Sequence, residues 1–321
     1  MDTAGEYAAA LRAEPRSLRR KSILQAASNH LPPGALTTLY AQLHEIGGAG
    51  LCRDAPQFRY MTGFARRRAA RQPQLVANHS DPTYSLFTTP GSEPARKRLF
   101  ILFSGEDGQF YIPLSVVLHN LPKGPKDVLV LRSGLGIFYA RGLKGFGRST
   151  HQVAQSIVAR FAPQTYAEVN VLGFSAGGAY ALRIADLLGA DLGLSFGGRF
   201  SAGVPRVPAD LLNPSHGFDV LCPCFAQRAG KLVNLAGAKS EVDSLAMARM
   251  AAIRPRLVRH YLINYGGHNV LLRMLRTRTL APFILLCLLP SAWLRAATLP
   301  FWAYGSFVRG LRRLVGVQKL R

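Results

Sequence analysis

Residues 171–182 read VLGFSAGGAYAL, an apolar run that stops at a serine set between glycines. Gly173-Phe174-Ser175-Ala176-Gly177 fits G-x-S-x-G, the spacing of a nucleophile elbow. In a chain with 31 glycines chance supplies such a pattern readily, so the five residues alone decide nothing. Their flanks decide more. Residues 168–173 form an apolar, strand-like run, and the stretch from 177 onward has the composition of a helix. A strand-turn-helix of this kind lifts the serine hydroxyl above a sheet, and glycines let strand and helix approach without Cβ clashes. The helix N-terminus adds backbone N–H groups and a positive dipole end. Ser175 is therefore the candidate nucleophile, Gly173 and Gly177 the elbow glycines, and the Ala176 N–H the expected first oxyanion donor. A tight turn that only needs small residues is the competing reading.

Outward from the elbow the same texture repeats. Short apolar runs occur at 98–105 (RLFILFSG), 127–133 (DVLVLRS), 167–175, 192–198 (LGLSFGG), 231–238 (KLVNLAGA) and 256–264 (RLVRHYLIN). Helical patterns lie among them: IPLSVVLHNL, STHQVAQSIVARFA, AGGAYALRIADLLG, DSLAMARMAAI and HNVLLRML. Continuous rather than alternating apolar strands imply burial on both faces. Strand-helix alternation then predicts an α/β fold, with a mostly parallel central sheet flanked by helices. Function in such sheets sits at the C-terminal ends of strands.

Three segments follow. Residues 1–82 read as a helical and basic N-terminal extension, with helical patterns in EYAAALRAE and ALTTLYAQLHEI and a solvated basic piece, GFARRRAARQPQ. Residues 83–277 read as the catalytic domain, with the long break at 200–229 as a candidate lid. Residues 278–321 are apolar and basic, with seven Lys/Arg, no Asp or Glu, and Trp293, Trp302 and Tyr304 among apolar neighbours. Pro282 and Pro290 interrupt the first apolar run, which is too short to span a bilayer. Attachment to an anionic membrane surface is the expectation, against a packed C-terminal helix pair as the alternative.

The whole-chain balance agrees with an anionic partner. Forty Lys+Arg against 17 Asp+Glu give +23, which favours acidic lipid, acidic polysaccharide or nucleic acid without specifying fold. Arg66-Arg67-Arg68 and Arg71 have no recognised nucleic-acid module around them, so nucleic acid is not the expected partner. Cys52, Cys222, Cys224 and Cys287 are too few and too irregular for a disulfide scaffold, and no spacing of cysteines with His216 suits a metal. No P-loop occurs, and no G-x-G-x-x-G opens a helix after the first strand. No cofactor or metal is expected. The first residues, MDTAGEYAAALRAEP, lack the apolar core of a secretory signal, so the expected location is cytoplasmic, peripheral on the inner membrane face if the tail docks.

A serine nucleophile needs a base and an acid. His260 falls inside the strand run RLVRHYLIN, whereas His268 follows two glycines in NYGGHNVLLRML, after the last strand and before a helix. His268 is the expected base. The loop after KLVNLAGA offers Glu241 and Asp243, of which Asp243 is preferred; it precedes a helix and N-cap of that helix is its competing reading, a role compatible with that of the acid. Its carboxylate would orient the imidazole and stabilise the imidazolium. The second oxyanion donor is expected from the loop after LFILFSG, as the backbone N–H of Glu106.

The order Ser175, Asp243, His268 on an α/β scaffold resembles the α/β-hydrolase superfamily over 83–277. The stretch VLRSGLGIFYARGLKGFGRSTHQVAQSI is also similar to a segment of bacterial hydrolase-like proteins linked to capsule and surface-polysaccharide loci. There a W-Y-x-x-G-x-x-G-x-G stretch precedes the elbow, matched by Phe138, Tyr139, Gly142, Gly145 and Gly147, with Phe138 in place of the usual Trp. Those proteins also tend to carry a loop aspartate and a late G-H-x-V, matched by Asp243 and Gly267-His268-Asn269-Val270. The resemblance implies a serine esterase or deacylase working through an acyl-enzyme on a small-molecule, carbohydrate- or lipid-linked ester. A hydrolase fold kept as a binding protein, or an acyltransferase using the same triad, are the rivals.

Overall fold

The structure is a computed structural model and describes residues 3–15, 17–31, 35–36, 38–39, 42, 75–81, 83–105, 108, 110, 112, 114–133, 139, 142–198, 231–240, 243, 258–263, 265–267, 269–288 and 318–319. Its elements in chain order are α1 (Ala4–Ala13), α2 (Ser17–His30), β1 (Val76–Ser80), β2 (Tyr84–Thr88), β3 (Arg98–Phe103), α3 (Leu114–Asn120) and β4 (Lys126–Leu131). There follow α4 (Thr150–Phe161), β5 (Glu168–Phe174), α5 (Ala176–Leu188), β6 (Leu192–Phe196), β7 (Lys231–Gly237), β8 (Val258–Ile263), α6 (Val270–Arg276), α7 (Leu280–Leu288) and β9 (Gln318–Lys319). All six strand runs marked in the sequence form strands.

These strands build one sheet in the order β1-β2-β4-β3-β5-β6-β7-β8-β9. Strands β3 to β8 run parallel, with Ile101 level with Leu129 and Val171, and Leu172 level with Leu194. β2 joins β4 antiparallel, and β1 folds back on β2. This is the α/β architecture expected from the sequence, a mostly parallel central sheet flanked by helices. Alternate residues of β3 and β5 face opposite layers, as the strand period of two requires. Leu99, Ile101, Phe103, Val169 and Val171 pack with Val153 and Ile157 of α4 and Ile184 of α5. Phe100, Leu102, Leu172 and Phe174 pack with Tyr7 and Leu11 of α1, Leu24 of α2, Leu114 and Val117 of α3, and Leu271 and Phe283 from the C-terminal helices. Burying each such Leu, Val or Phe contributes roughly 1.5–3 kcal/mol relative to exposure.

Local chemistry sets where these helices begin. Thr3 and Glu6 form a reciprocal capping box at α1, and Ser149 accepts from the Gln152 N–H at α4. The sheet begins earlier than residue 83: β1 lies within the stretch read as a helical and basic extension, and its residues are all exposed. Two pieces of the apolar 278–321 stretch also return to the fold. α7 buries Leu280, Phe283 and Ile284, and β9 pairs antiparallel with β8. No described helix is long and apolar enough to cross a membrane.

At the N-terminal ends of β3 and β4, far along the strands from the elbow, Lys97 Nζ donates to Asp127 Oδ1 at 2.9 Å. The Thr88 hydroxyl donates to the same oxygen, and Tyr166 donates to Oδ2 at 2.8 Å. Burial together with Asp127 raises the Tyr166 phenol pKa above its ordinary value. The network satisfies a buried ion pair, whose members would be costly left alone. Its role is to hold β2, β3 and β4 together.

Candidate active site

Ser175 occupies the turn between β5 and α5 with φ +51° and ψ −115°, a left-handed setting that side chains rarely adopt. Its N–H donates to the Phe196 carbonyl at the end of β6 (2.9 Å), and its own carbonyl accepts from the Gly178 N–H (2.9 Å). The elbow is thus tied to the neighbouring strand on one side and to its helix on the other. A Cβ on Gly177 would lie 2.3 Å from the Ser104 carbonyl oxygen, and one on Gly173 would lie 2.1 Å from the Gly177 carbonyl oxygen. These are backbone atoms, so glycine is required at both places. Ala176 is the first residue of α5 and has no intrahelical acceptor for its N–H. Ser175 is 3% exposed, and Ala176 is equally covered.

Asp243 is buried to 1% exposure beyond the end of β7. Its Oδ2 accepts from the Gly237 N–H at 3.3 Å, and its own N–H donates to Ser240 Oγ at 3.4 Å. The position where a Gly237 Cβ would stand lies 2.9 Å from the carbonyl oxygens of both Tyr265 and Gly267, and 3.4 Å from Asp243 Oδ2. The acid and the chain that leaves β8 just before residue 268 therefore both border Gly237. Asn269, on the other side of that residue, caps α6 by accepting from the Leu272 N–H at 3.0 Å. His268 itself lies outside the described residues, as do Glu106, Glu241, Phe138, His216, the candidate lid at 200–229 and the basic run Arg66 to Arg71. His260 lies within β8, level with Asn234.

Ser175, Asp243 and the Gly267–Asn269 flanks all follow the C-terminal ends of parallel strands β5, β7 and β8. In such sheets this edge is where ligands bind. Among the described residues no group of three or more His, Cys, Asp or Glu could hold a metal ion.

Sequence reasoning missed the polar group beneath this edge. The Tyr139 hydroxyl lies 3.0 Å from the Ser104 carbonyl oxygen, 3.2 Å from that of Leu131 and 3.1 Å from Ser104 Oγ. Burial pushes its phenol pKa well above the ordinary value. Arg132, one residue past β4, donates from Nη1 to Ser85 Oγ at 2.9 Å and to the Asp81 carbonyl at 3.3 Å. Burial lowers its guanidinium pKa to about 10. The glycines after Tyr139 make a tight loop: Leu143 pairs with Gly147, and a Cβ on Gly142 would lie 2.1 Å from the Gly147 carbonyl oxygen.

No family model matches the sequence, and no curated protein does. Solved structures do resemble it. A CIB-like hydrolase from Thermoplasma acidophilum shares 15% identity over 66% of this chain and 98% of its own, with a TM-score of 0.41. A 2,6-dihydroxy-pseudo-oxynicotine hydrolase shares 15% over 90% of this chain and 87% of its own, with a TM-score of 0.45. Esterase B from Lactobacillus rhamnosis shares 15% over 71% and 95%, with a TM-score of 0.36.

Proposed function

We propose that the chain is a serine hydrolase that cleaves a carboxylic ester through an acyl-enzyme. The observation that carries this reading is Ser175 held at φ +51° between a buried strand and a helix N-terminus. Strain of this kind persists only where the surroundings over-determine it, and it clusters at functional sites. The buried Asp243 carboxylate, beside the chain that leads into residue 268, supports the same reading.

In the proposed cycle Ser175 Oγ attacks the acyl carbon while His268 accepts its proton, with Asp243 orienting the imidazole. The N–H groups of Ala176 and Glu106 stabilise the oxyanion. The alcohol leaves with the proton from His268. Water, deprotonated by the same imidazole, then releases the carboxylic acid and restores the serine. A net charge of +23 suits an ester carried on an anionic glycan or a phosphate-bearing lipid. For the same reason we propose an anionic membrane face as the partner of the C-terminal segment.

Pre-steady-state hydrolysis of p-nitrophenyl acetate tests the acyl-enzyme. A burst of p-nitrophenol approaching one equivalent per chain, absent in Ser175→Ala, is the expected result. A folded wild type that gives neither burst nor turnover, on this ester and on a panel of longer acyl chains, overturns the proposal.

A further inference from the structure

We propose that Tyr139 is a positioning residue for this site, its hydroxyl holding the exit of β3 in the place from which the oxyanion loop departs. The kinetic part rests on the hydrolase reading above; the structural part does not.

Tyr139 is 1% exposed and adopts φ +59°, a left-handed backbone unusual for an aromatic residue. Two features keep it there. Its carbonyl accepts from the Gly142 N–H at 2.9 Å, which starts the glycine loop closed by Leu143 and Gly147. Its ring stacks on Tyr180 of α5, with centroids 4.8 Å apart and planes at 18°, and meets Phe103 edge-on at 5.5 Å. A phenylalanine would fill that space equally well, so packing alone does not account for the hydroxyl. Burying a hydroxyl is unfavourable unless it is hydrogen-bonded, and this one reaches only groups at the C-terminal exits of β3 and β4.

The partner matters more than the bond count. The Ser104 N–H is already given to the Leu131 carbonyl at 3.0 Å, so the exits of β3 and β4 are clipped together. The Ser104 carbonyl oxygen is also the atom against which Gly177 packs in the first turn of the elbow helix. One carbonyl therefore has the Tyr139 hydroxyl and the nucleophile helix as neighbours, and Gly105 and Glu106 follow it in the chain. Losing the hydroxyl frees that carbonyl to turn, and the Gly105 N–H in the same peptide plane turns with it, at the start of the chain that leads to Glu106. A donor displaced from the oxyanion loses part of the 10²–10³-fold that a whole donor contributes, here about tenfold.

Tyr139→Phe keeps the ring and removes the hydroxyl, which donates toward the Ser104 and Leu131 carbonyls and also bonds the backbone of Ser133. The proposal expects amide hydrogen exchange in peptides spanning 100–110 to rise several-fold, while peptides of α4 stay unchanged. Labelling of Ser175 by a fluorophosphonate should slow about tenfold, with kcat falling alike and KM within twofold of wild type. Incorporation of p-aminophenylalanine at 139, which restores a donor, should return both readouts toward wild type. A folded Tyr139→Phe with unchanged exchange, or with raised exchange but a labelling rate within twofold, overturns the proposal. If Tyr139→Phe does not fold, the amino variant decides: wild-type exchange and labelling support the positioning role, and slow labelling overturns it. If the wild type itself does not label, the hydrolase reading fails, and exchange alone decides whether Tyr139 holds the exit of β3.

Discussion

The Ser104 carbonyl oxygen and Gly177 meet so closely that a Cβ on the glycine would stand 2.3 Å from that oxygen, with the Phe103 carbonyl oxygen 2.8 Å away. The exit of β3 and the first turn of the elbow helix thus meet through two main-chain carbonyls and the Phe103 Cβ, 2.9 Å from the same position. Gly177→Ala cannot be absorbed by a side-chain rotation. We expect a loss of about 1–3 kcal/mol in urea unfolding, together with slower labelling of Ser175 in the folded fraction. Unchanged stability would contradict the contact.

Asp243 differs from a surface carboxylate by being almost wholly covered and by accepting the Gly237 N–H at 3.3 Å. Asp243→Asn keeps the shape and removes the charge that would stabilise an imidazolium. Ester turnover should fall by roughly 10²–10⁴-fold while the fold survives. Glu241→Gln should leave turnover within a fewfold of wild type. If the two variants exchange these outcomes, the acid is Glu241.

Lys126 provides a pH-dependent prediction away from the site. Burial, with Arg98 nearby, lowers its pKa from 10.5 to about 8. Between these values the unfolded chain still holds the proton that the folded chain has released, so stability rises with pH over that interval. Below pH 8 both states are charged, and the cost of covering the ammonium is fully present. Lys126→Met should therefore be more stable than wild type at pH 7, and the advantage should shrink toward pH 10. Urea midpoints for both proteins at pH 7, 8, 9 and 10 check this; an advantage that does not change with pH would contradict it.

Much of this fold was legible because the parallel strands are buried on both faces, and so read as unbroken apolar runs such as FILF and VLVL. The elbow was legible because its chemistry is local: strand, glycine, serine and helix within a few residues. β1 was not legible, since VANHS is exposed at every position and carries no alternation. Tyr139 stood out only through a resemblance that gave it no role. Its partners are main-chain carbonyls at 104 and 131, and nothing in a side-chain pattern announces a contact to a carbonyl.

α7 turns Leu280, Phe283 and Ile284 inward and leaves Leu285 and Leu286 53% and 42% exposed. Arg276 and Arg278, just before it, are exposed as well. Apolar residues flanked by cations bind anionic bilayers by insertion and by surface charge together. Flotation with phosphatidylcholine vesicles containing phosphatidylglycerol should carry the wild type up and leave Leu285→Asp/Leu286→Asp behind. Pure phosphatidylcholine should carry neither. The double variant preserves the buried face of α7, which deletion of 278–321 would remove. Equal flotation of both proteins would contradict the membrane assignment.

The central claim is that Ser175 is a working nucleophile, and fluorophosphonate labelling followed by peptide mass spectrometry tests it most directly. One adduct per chain is expected, located on Ser175, abolished by Ser175→Ala and strongly reduced by His268→Ala. A folded wild type that takes up no label, or an adduct on another residue that persists in Ser175→Ala, would contradict it.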